Sequence, residues 1–189
     1  MRLAKLKTKI SVEDYIGGEE ISDIKHEYLD GEVYAMAGTS DRHNIIAGNL
    51  FANLWTHLRD SPCQPFMENM KVRVNRDVFY YPDVLVSCEQ NPESSYYRNE
   101  PILIIEVISP STAQTDRREK LRAYQQMPSV HEYVIVEQES IAVEIHRRQP
   151  DGRWITYYFT RQDTEFTLES VNLTLQLAEV YRRVNFEQN

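Results

Sequence analysis

The order helix, three strands, helix, strand runs through the middle of the 189-residue chain and predicts a mixed α/β fold, a central β-sheet of mixed direction flanked by helices. Three observations carry that expectation. Pro101 to Ile108 is an apolar, β-branched run of strand length, which reads as a strand buried on both faces rather than one that alternates. Ile46, Leu50, Leu54 and Leu58 recur at four-residue steps and make one apolar stripe of a helix. Asp30-Gly31 lies between two short runs, Lys25 to Leu29 and Glu32 to Met36, and favours the primed turn of an extra N-terminal β-hairpin, because both central residues tolerate positive φ.

Ser11 is spaced as an N-cap ahead of Glu13 and Asp14, and Gly17-Gly18 should stop the short helix that begins there. The hairpin carries Glu27 and Tyr34 on its two strands. Ser40 caps the long helix, with Trp55 beside its apolar stripe. Phe66 to Val74 and Val78 to Ser87 read as two strands around the turn Asn75-Arg-Asp77, with Tyr81, Asp83 and Leu85 on one face of the second. Glu89 to Glu100 is polar and reads as a surface loop.

After the Pro101 strand, Ser111 or Thr112 can cap a helix from about Ala113 to Met127, ended by Pro128. Asp116, Lys120 and Tyr124 share one face of that helix. Strands at His131 to Glu137, Ile141 to Arg148 and Arg153 to Thr160 follow, and an amphipathic helix is expected around Leu173 to Tyr181. In strands, each of the pairs Tyr80-Tyr81, Tyr96-Tyr97 and Tyr157-Tyr158 should send one ring to the core and the other to solvent.

With 41% hydrophobic and 11% aromatic residues the chain can bury one core, and no shift in composition marks a linker, so a single domain over 1–189 is expected. The net charge of -8 argues against a surface built to grip phosphate backbones, although divalent cations can neutralise an acidic site. Cys63 and Cys88 make neither a disulfide framework nor a zinc set, which points to a reducing cytoplasm. No run has the composition of a signal peptide or the length of a membrane span.

Glu106 does not belong among Ile104, Ile105, Val107 and Ile108, because a carboxylate is almost never buried without a compensating partner. A cation, a metal ion or a water-filled cleft at the strand's carboxyl end would supply it. Pro82-Asp83 and Glu106 in an αβββαβ order resemble the active-site pattern of the PD-(D/E)xK nucleases. More specifically, the chain resembles the Uma2 family (DUF820) of that superfamily. The matching segments are Glu27 to Met36, His43 and the helix after it, Tyr81-Pro-Asp-Val84, Glu106-Val-Ile-Ser-Pro-Ser-Thr112, and Asp116, Lys120 and Tyr124 at four-residue steps.

The resemblance implies a restriction-endonuclease-like core and hydrolysis of phosphodiester bonds in nucleic acid, DNA ahead of RNA. Asp83 and Glu106 would hold Mg²⁺ or Mn²⁺, since Mg²⁺ takes one or two carboxylates and completes its shell with water and substrate phosphate. Such an ion polarises the phosphate and activates water, while a lysine orients that water and offsets the developing charge. The lysine expected two residues after Glu106 is Ile108 in this sequence, and Lys120 is its migrated substitute, on a helix that folds back along the sheet. Glu27 is assigned by the resemblance as a third carboxylate; Lys71, on the strand antiparallel to the one carrying Asp83, is a lesser candidate for phosphate contact. A homodimer is implied as well.

Taken alone, Asp83 would bend or end a strand, Glu27 would be a surface residue, and Lys120 with Asp116 an ordinary helix ion pair. His43, near a helix start, reads as a capping or packing residue and stays outside the catalytic set. Two other functions remain open: a nuclease-fold module that binds nucleic acid or regulates without cleaving, and a metal-dependent hydrolase of a smaller phosphate ester.

Overall fold

The computed structural model describes residues 9–36, 38–109 and 112–186. Ser11 accepts the N–H of Asp14 and starts α1 (Val12–Glu19), which runs on through Gly17 and Gly18 rather than stopping there. Both glycines meet open space and keep ordinary helical backbone, so they cost propensity without breaking the turn. Strands β1 (His26–Leu29) and β2 (Glu32–Ala35) form the expected hairpin, with Asp30 at φ 50° and Gly31 at φ 91°. Ser40 then caps α2 (Asp41–Leu58) by accepting the N–H of His43.

The two long strands expected after α2 are each split in the middle. Residues 64–75 give β3 (Gln64–Met67) and β4 (Lys71–Asn75), separated by Glu68 at φ 53°. Residues 78–87 give β5 (Val78–Tyr80) and β6 (Val84–Ser87). Each half joins a different sheet. The break also removes Asp83 from a strand interior and leaves it just ahead of β6. Tyr80 and Tyr81 are both buried, since alternation ends with β5.

The segment read as a surface loop holds β7 (Tyr97–Arg98), parallel to β4, with both residues buried. Next comes β8 (Pro101–Ile108). The following helix is not uniform: α3 (Ala113–Thr115) passes into a π-helical turn, Asp116–Lys120, and then α4 (Leu121–Gln125). The Ser111 cap lies outside the described residues, and Thr112 takes helical backbone and caps nothing with its side chain. Strands β9 (Glu132–Glu137), β10 (Ala142–Arg148) and β11 (Trp154–Thr160) follow as expected.

The chain end differs from its sequence pattern. A small hairpin of β12 (Glu165–Leu168) and β13 (Leu173–Gln176) takes most of the segment read as an amphipathic helix, leaving only α5 (Leu177–Val180). Leu173, Leu175 and Leu177 follow a period of two while Leu173, Leu177, Val180 and Tyr181 fit a helical stripe, so a partner strand decides between them.

The larger sheet has the order β11-β10-β9-β8-β6-β3 and the smaller β2-β1-β5-β4-β7. Strands β8 and β9 are parallel and are joined by the α3 to α4 crossover; β6 and β8 are antiparallel. One face of β8, Leu103, Ile105 and Val107, packs under α2 with Ile46, Leu50 and Leu54. The other, Ile104 and Ile108, packs with Tyr124, Met127 and Tyr133. That double burial explains the unbroken apolar run. Trp55 lies outside the core at 59% exposure, stacked on Phe51.

Register also corrects the expectation of free thiols. Gln64 stands opposite Ser87 in the β3/β6 ladder, so Cys63 and Cys88 oppose each other one step outward and are disulfide-bonded. Their separation of 25 residues in sequence hides a contact that only strand pairing creates.

The packing sets a contrast that urea denaturation can read. Leu50→Ala should cost about 2 to 5 kcal/mol, as a fully buried leucine does. Trp55→Gln should stay within about 0.5 kcal/mol of wild type, as exposed sites do. Equal losses at the two positions would mean that α2 packs through a different face.

Candidate active site

Side-chain parity along β8 aims Glu106 at the same side as Ile104 and Ile108, toward α4 and the smaller sheet. Glu106 is 3% exposed and Lys120 7%. Lys120 Nζ donates to Glu106 Oε1 at 3.1 Å and lies 3.2 Å from Asp116 Oδ1 and 3.0 Å from Glu27 Oε1. Glu27 comes from β1, opposite Tyr34 in the hairpin, so the smaller sheet supplies the third carboxylate. Its contact with Lys120 is electrostatic only, because Glu27 Oε1 is buried and accepts no hydrogen bond. The Tyr124 hydroxyl donates to Glu106 Oε1 at 3.4 Å, and the ammonium sits 5.6 Å from the Tyr80 ring centre.

The π turn sets the lysine's position. Leu121 N–H reaches back to Asp116 O, a wider turn than an α-helix allows, and both Asp116 and Lys120 are buried on the sheet side. Tyr133 on β9 fixes the turn from below by donating its hydroxyl to Asp116 O at 3.1 Å.

Asp83 arrives by another route. Val84 pairs with Ile105 in the β6/β8 ladder, so Asp83 stands across from Glu106 one step beyond it. Its Oδ2 accepts the Val107 N–H at 2.7 Å and lies 3.1 Å from His43 Nε2. His43 is buried at the start of α2, where the Ser40 cap holds its backbone. Burial opposes a charged imidazole, but the hydrogen bond and charge of Asp83, with Glu68 beyond, more than offset it, and His43 titrates above the ordinary histidine value.

The four expected side chains, Glu27, Asp83, Glu106 and Lys120, therefore lie in one neighbourhood, and Asp116 joins them. Lys71 does not: it is buried in the smaller sheet, bonded to Tyr81. His43 is the residue the sequence reading set aside. The available signal was its place three residues after a capping serine, which turns it inward on α2.

Charge does not balance here. Burial first, and then the Asp83, Asp116 and Glu27 charges, push the Glu106 carboxyl well above the usual glutamate range, and Lys120 only partly counters them. Lys120 in turn is held well above the usual lysine value by Glu106, Glu27 and Asp116, although burial opposes it. Among the described residues, no three His, Cys, Asp or Glu side chains form a ready metal cage. The donor set nonetheless fits a hard divalent ion that takes two carboxylates and keeps water, because one ammonium faces three carboxylates with Asp83 beyond, and a cation relieves that excess negative charge.

The mixed sheet with its helical crossover is a restriction-endonuclease-like fold. A crystal structure of a "putative nuclease belonging to DUF820" from Anabaena variabilis has this fold, at a TM-score of 0.70 over 91% of this chain and 97% of that one, with 17% identity. The chain belongs to the Uma2 family, described as "Putative restriction endonuclease", which it matches over residues 12–179. Two Synechocystis sp. proteins are similar: "Uncharacterized protein slr1290" is 33% identical over 94% of each chain, and "Uncharacterized protein sll1609" is 31% identical over 78% of this chain and 86% of that one.

Two substitutions should move stability in opposite directions. Lys120→Met leaves the carboxylates uncompensated and should cost about 3 to 5 kcal/mol at pH 8. Glu106→Gln should be more stable than wild type at pH 8 by on the order of 1 kcal/mol. The sign follows from the raised Glu106 value: its stabilising contribution is complete below the ordinary glutamate value and is lost as pH rises through the higher folded value. Denaturation at pH 5 and pH 8 tests this, and a glutamine variant several kcal/mol weaker at pH 8 would make the ion pair a net stabiliser instead.

Proposed function

We propose that this chain is a Mg²⁺-dependent endonuclease, with Mn²⁺ able to substitute, that hydrolyses phosphodiester bonds of nucleic acid, DNA ahead of RNA. The observation that carries it is the excess of buried negative charge around one ammonium, next to Asp83. Asp83 and Glu106 would hold the ion, with Glu27 assisting. When bound, the ion would supply Lewis-acid polarisation of the phosphate and acidify a water molecule.

The chain's own groups do the rest. Val107 N–H and His43 fix the Asp83 carboxylate in one orientation. The Lys120 ammonium, already beside Glu106, directs the water and offsets charge on the phosphoryl oxygens. Tyr124 keeps its proton, since burial and the Glu106 charge hold its pKa well above the usual value, and so acts as a donor to Glu106. The reading takes 1–189 as one domain, a homodimer, at work in the cytoplasm. The Cys63 to Cys88 disulfide weighs against a fully reducing setting, because cytosolic disulfides are rare. Thiol titration of freshly isolated protein decides that point.

A second reading keeps the fold and drops the chemistry: a nucleic-acid-binding or regulatory module. The observation that favours it is Lys120 itself, engaged by carboxylates on three sides. Calorimetric titration of Mn²⁺ and Mg²⁺ into wild type and the Asp83→Ala/Glu106→Ala double variant separates the two. Binding should occur only in wild type, and Glu106→Ala purified in parallel should lower cleavage of supercoiled DNA by on the order of 10²-fold or more. If neither protein binds metal, even with a short oligonucleotide present, the non-cleaving module takes the enzyme's place.

A further inference from the structure

Lys71 on β4 is 4% exposed, yet among the described residues no carboxylate closes on it as an ion pair. Its ammonium donates to the Tyr81 hydroxyl at 3.0 Å, and Tyr81 donates onward to Glu19 Oε2 at 2.8 Å. The rings of Tyr81 and Tyr96 flank the ammonium, at 5.0 and 5.9 Å from their centres. An ammonium has three donors, so one hydroxyl leaves most of its capacity unspent. Burial draws its pKa below the ordinary lysine value, with Glu19 and Glu20 countering only in part.

Lys71 lines a cavity of about 270 Å³ whose wall also includes Lys25, Tyr81, Tyr96 and Glu20. Lys25 Nζ donates to Glu68 O at 3.4 Å, and Glu68 N–H donates to Asp83 O at 3.1 Å. Tyr81 stands two residues before Asp83. The cavity thus backs directly onto the segment that carries the Asp83 carboxylate. Tyr96, 49% exposed, offers an open aromatic face at its mouth.

We infer that this cavity is a subsite for an unpaired nucleotide of the strand being cut, with its phosphate on Lys71 and Lys25 and its base stacked on Tyr96. The inference rests on the nuclease reading above and adds a substrate class to it: single-stranded rather than fully paired nucleic acid. A phosphate supplies the acceptors that Lys71 lacks. A base supplies a π-face that matches an exposed tyrosine and is reachable only when unpaired. Glu19, Glu20 and Asp23 also line the cavity: Glu19 is taken up by Tyr81 and His26, and the Glu20 and Asp23 carboxylates suit the exocyclic amine and ring N–H donors of a base edge.

Fluorescence anisotropy of a labelled single-stranded DNA oligonucleotide and of the same sequence as a duplex, in EDTA so that no cleavage occurs, tests this. Wild type should bind the single strand at least tenfold more tightly. Tyr96→Ala and Lys71→Met should each weaken that binding on the order of tenfold, and Lys71→Met should lower the salt slope by about 0.7. Tyr96 is exposed, so its variant decides the matter even where Lys71→Met does not fold. Wild-type affinity in Tyr96→Ala, or equal binding of duplex and single strand, overturns the subsite. Binding in EDTA is read without metal or cleavage, so its outcome does not depend on whether the metal titration finds an enzyme, and the two readings fail separately.

Discussion

Lys120 Nζ lies within ion-pairing distance of carboxylates from three separate elements, so one atom ties together the hairpin of the smaller sheet, the central strand of the larger sheet and the crossover helix. Such a junction constrains everything that packs near it. Glu106 must face α4, β1 must cross at the height of the strand end, and the crossover helix must turn the face shared by Asp116 and Lys120 toward the sheet. Buried charges carry a desolvation penalty of several kcal/mol each, and apolar residues of similar volume commonly give equal or better stability. Stability therefore does not account for this cluster. The cation-dependent chemistry proposed above would account for it, because an imbalance toward negative charge is what such a site requires.

The two halves of the site are organised differently. Asp83 is held by a backbone N–H and a histidine, both fixed by secondary structure, and so it is rigid without any ion. Glu106 is held by Lys120 and Tyr124, long side chains from one helix. A carboxylate anchored to a strand and another anchored to a helix can exchange partners without moving the sheet. Rigid support with one adjustable partner is how an acidic site avoids rebuilding its fold when a ligand arrives.

Much of this was legible in the sequence, for reasons tied to particular residues. The hairpin followed from Asp30-Gly31, α2 from the four-residue stripe, and β8 from an apolar run that only double burial explains. Glu106 stood out because its neighbours deny it water. The splits at Glu68 and Asp83 were not legible, since each half-strand has ordinary strand composition and the division arises only when two sheets compete for one segment. The disulfide and the β12/β13 hairpin were hidden for the same reason: both are properties of pairing, not of local pattern. His43 was passed over because a histidine near a helix start usually caps or packs; its contact with Asp83 depends on the α2 axis, which no spacing reveals.

A lysine placed on β8 itself would meet different surroundings from those of Lys120. A lysine at 108 would point to the Glu106 side of the strand, where Ile108 now packs with Tyr124 and Met127. An ammonium there would be desolvated and would displace that packing. On the π turn, Lys120 reaches the same carboxylate while its stem runs along the helix surface and its charge sees Glu27 and Asp116 as well. With Ile108 in place the strand end closes as apolar core, and the cation comes from the crossover helix instead.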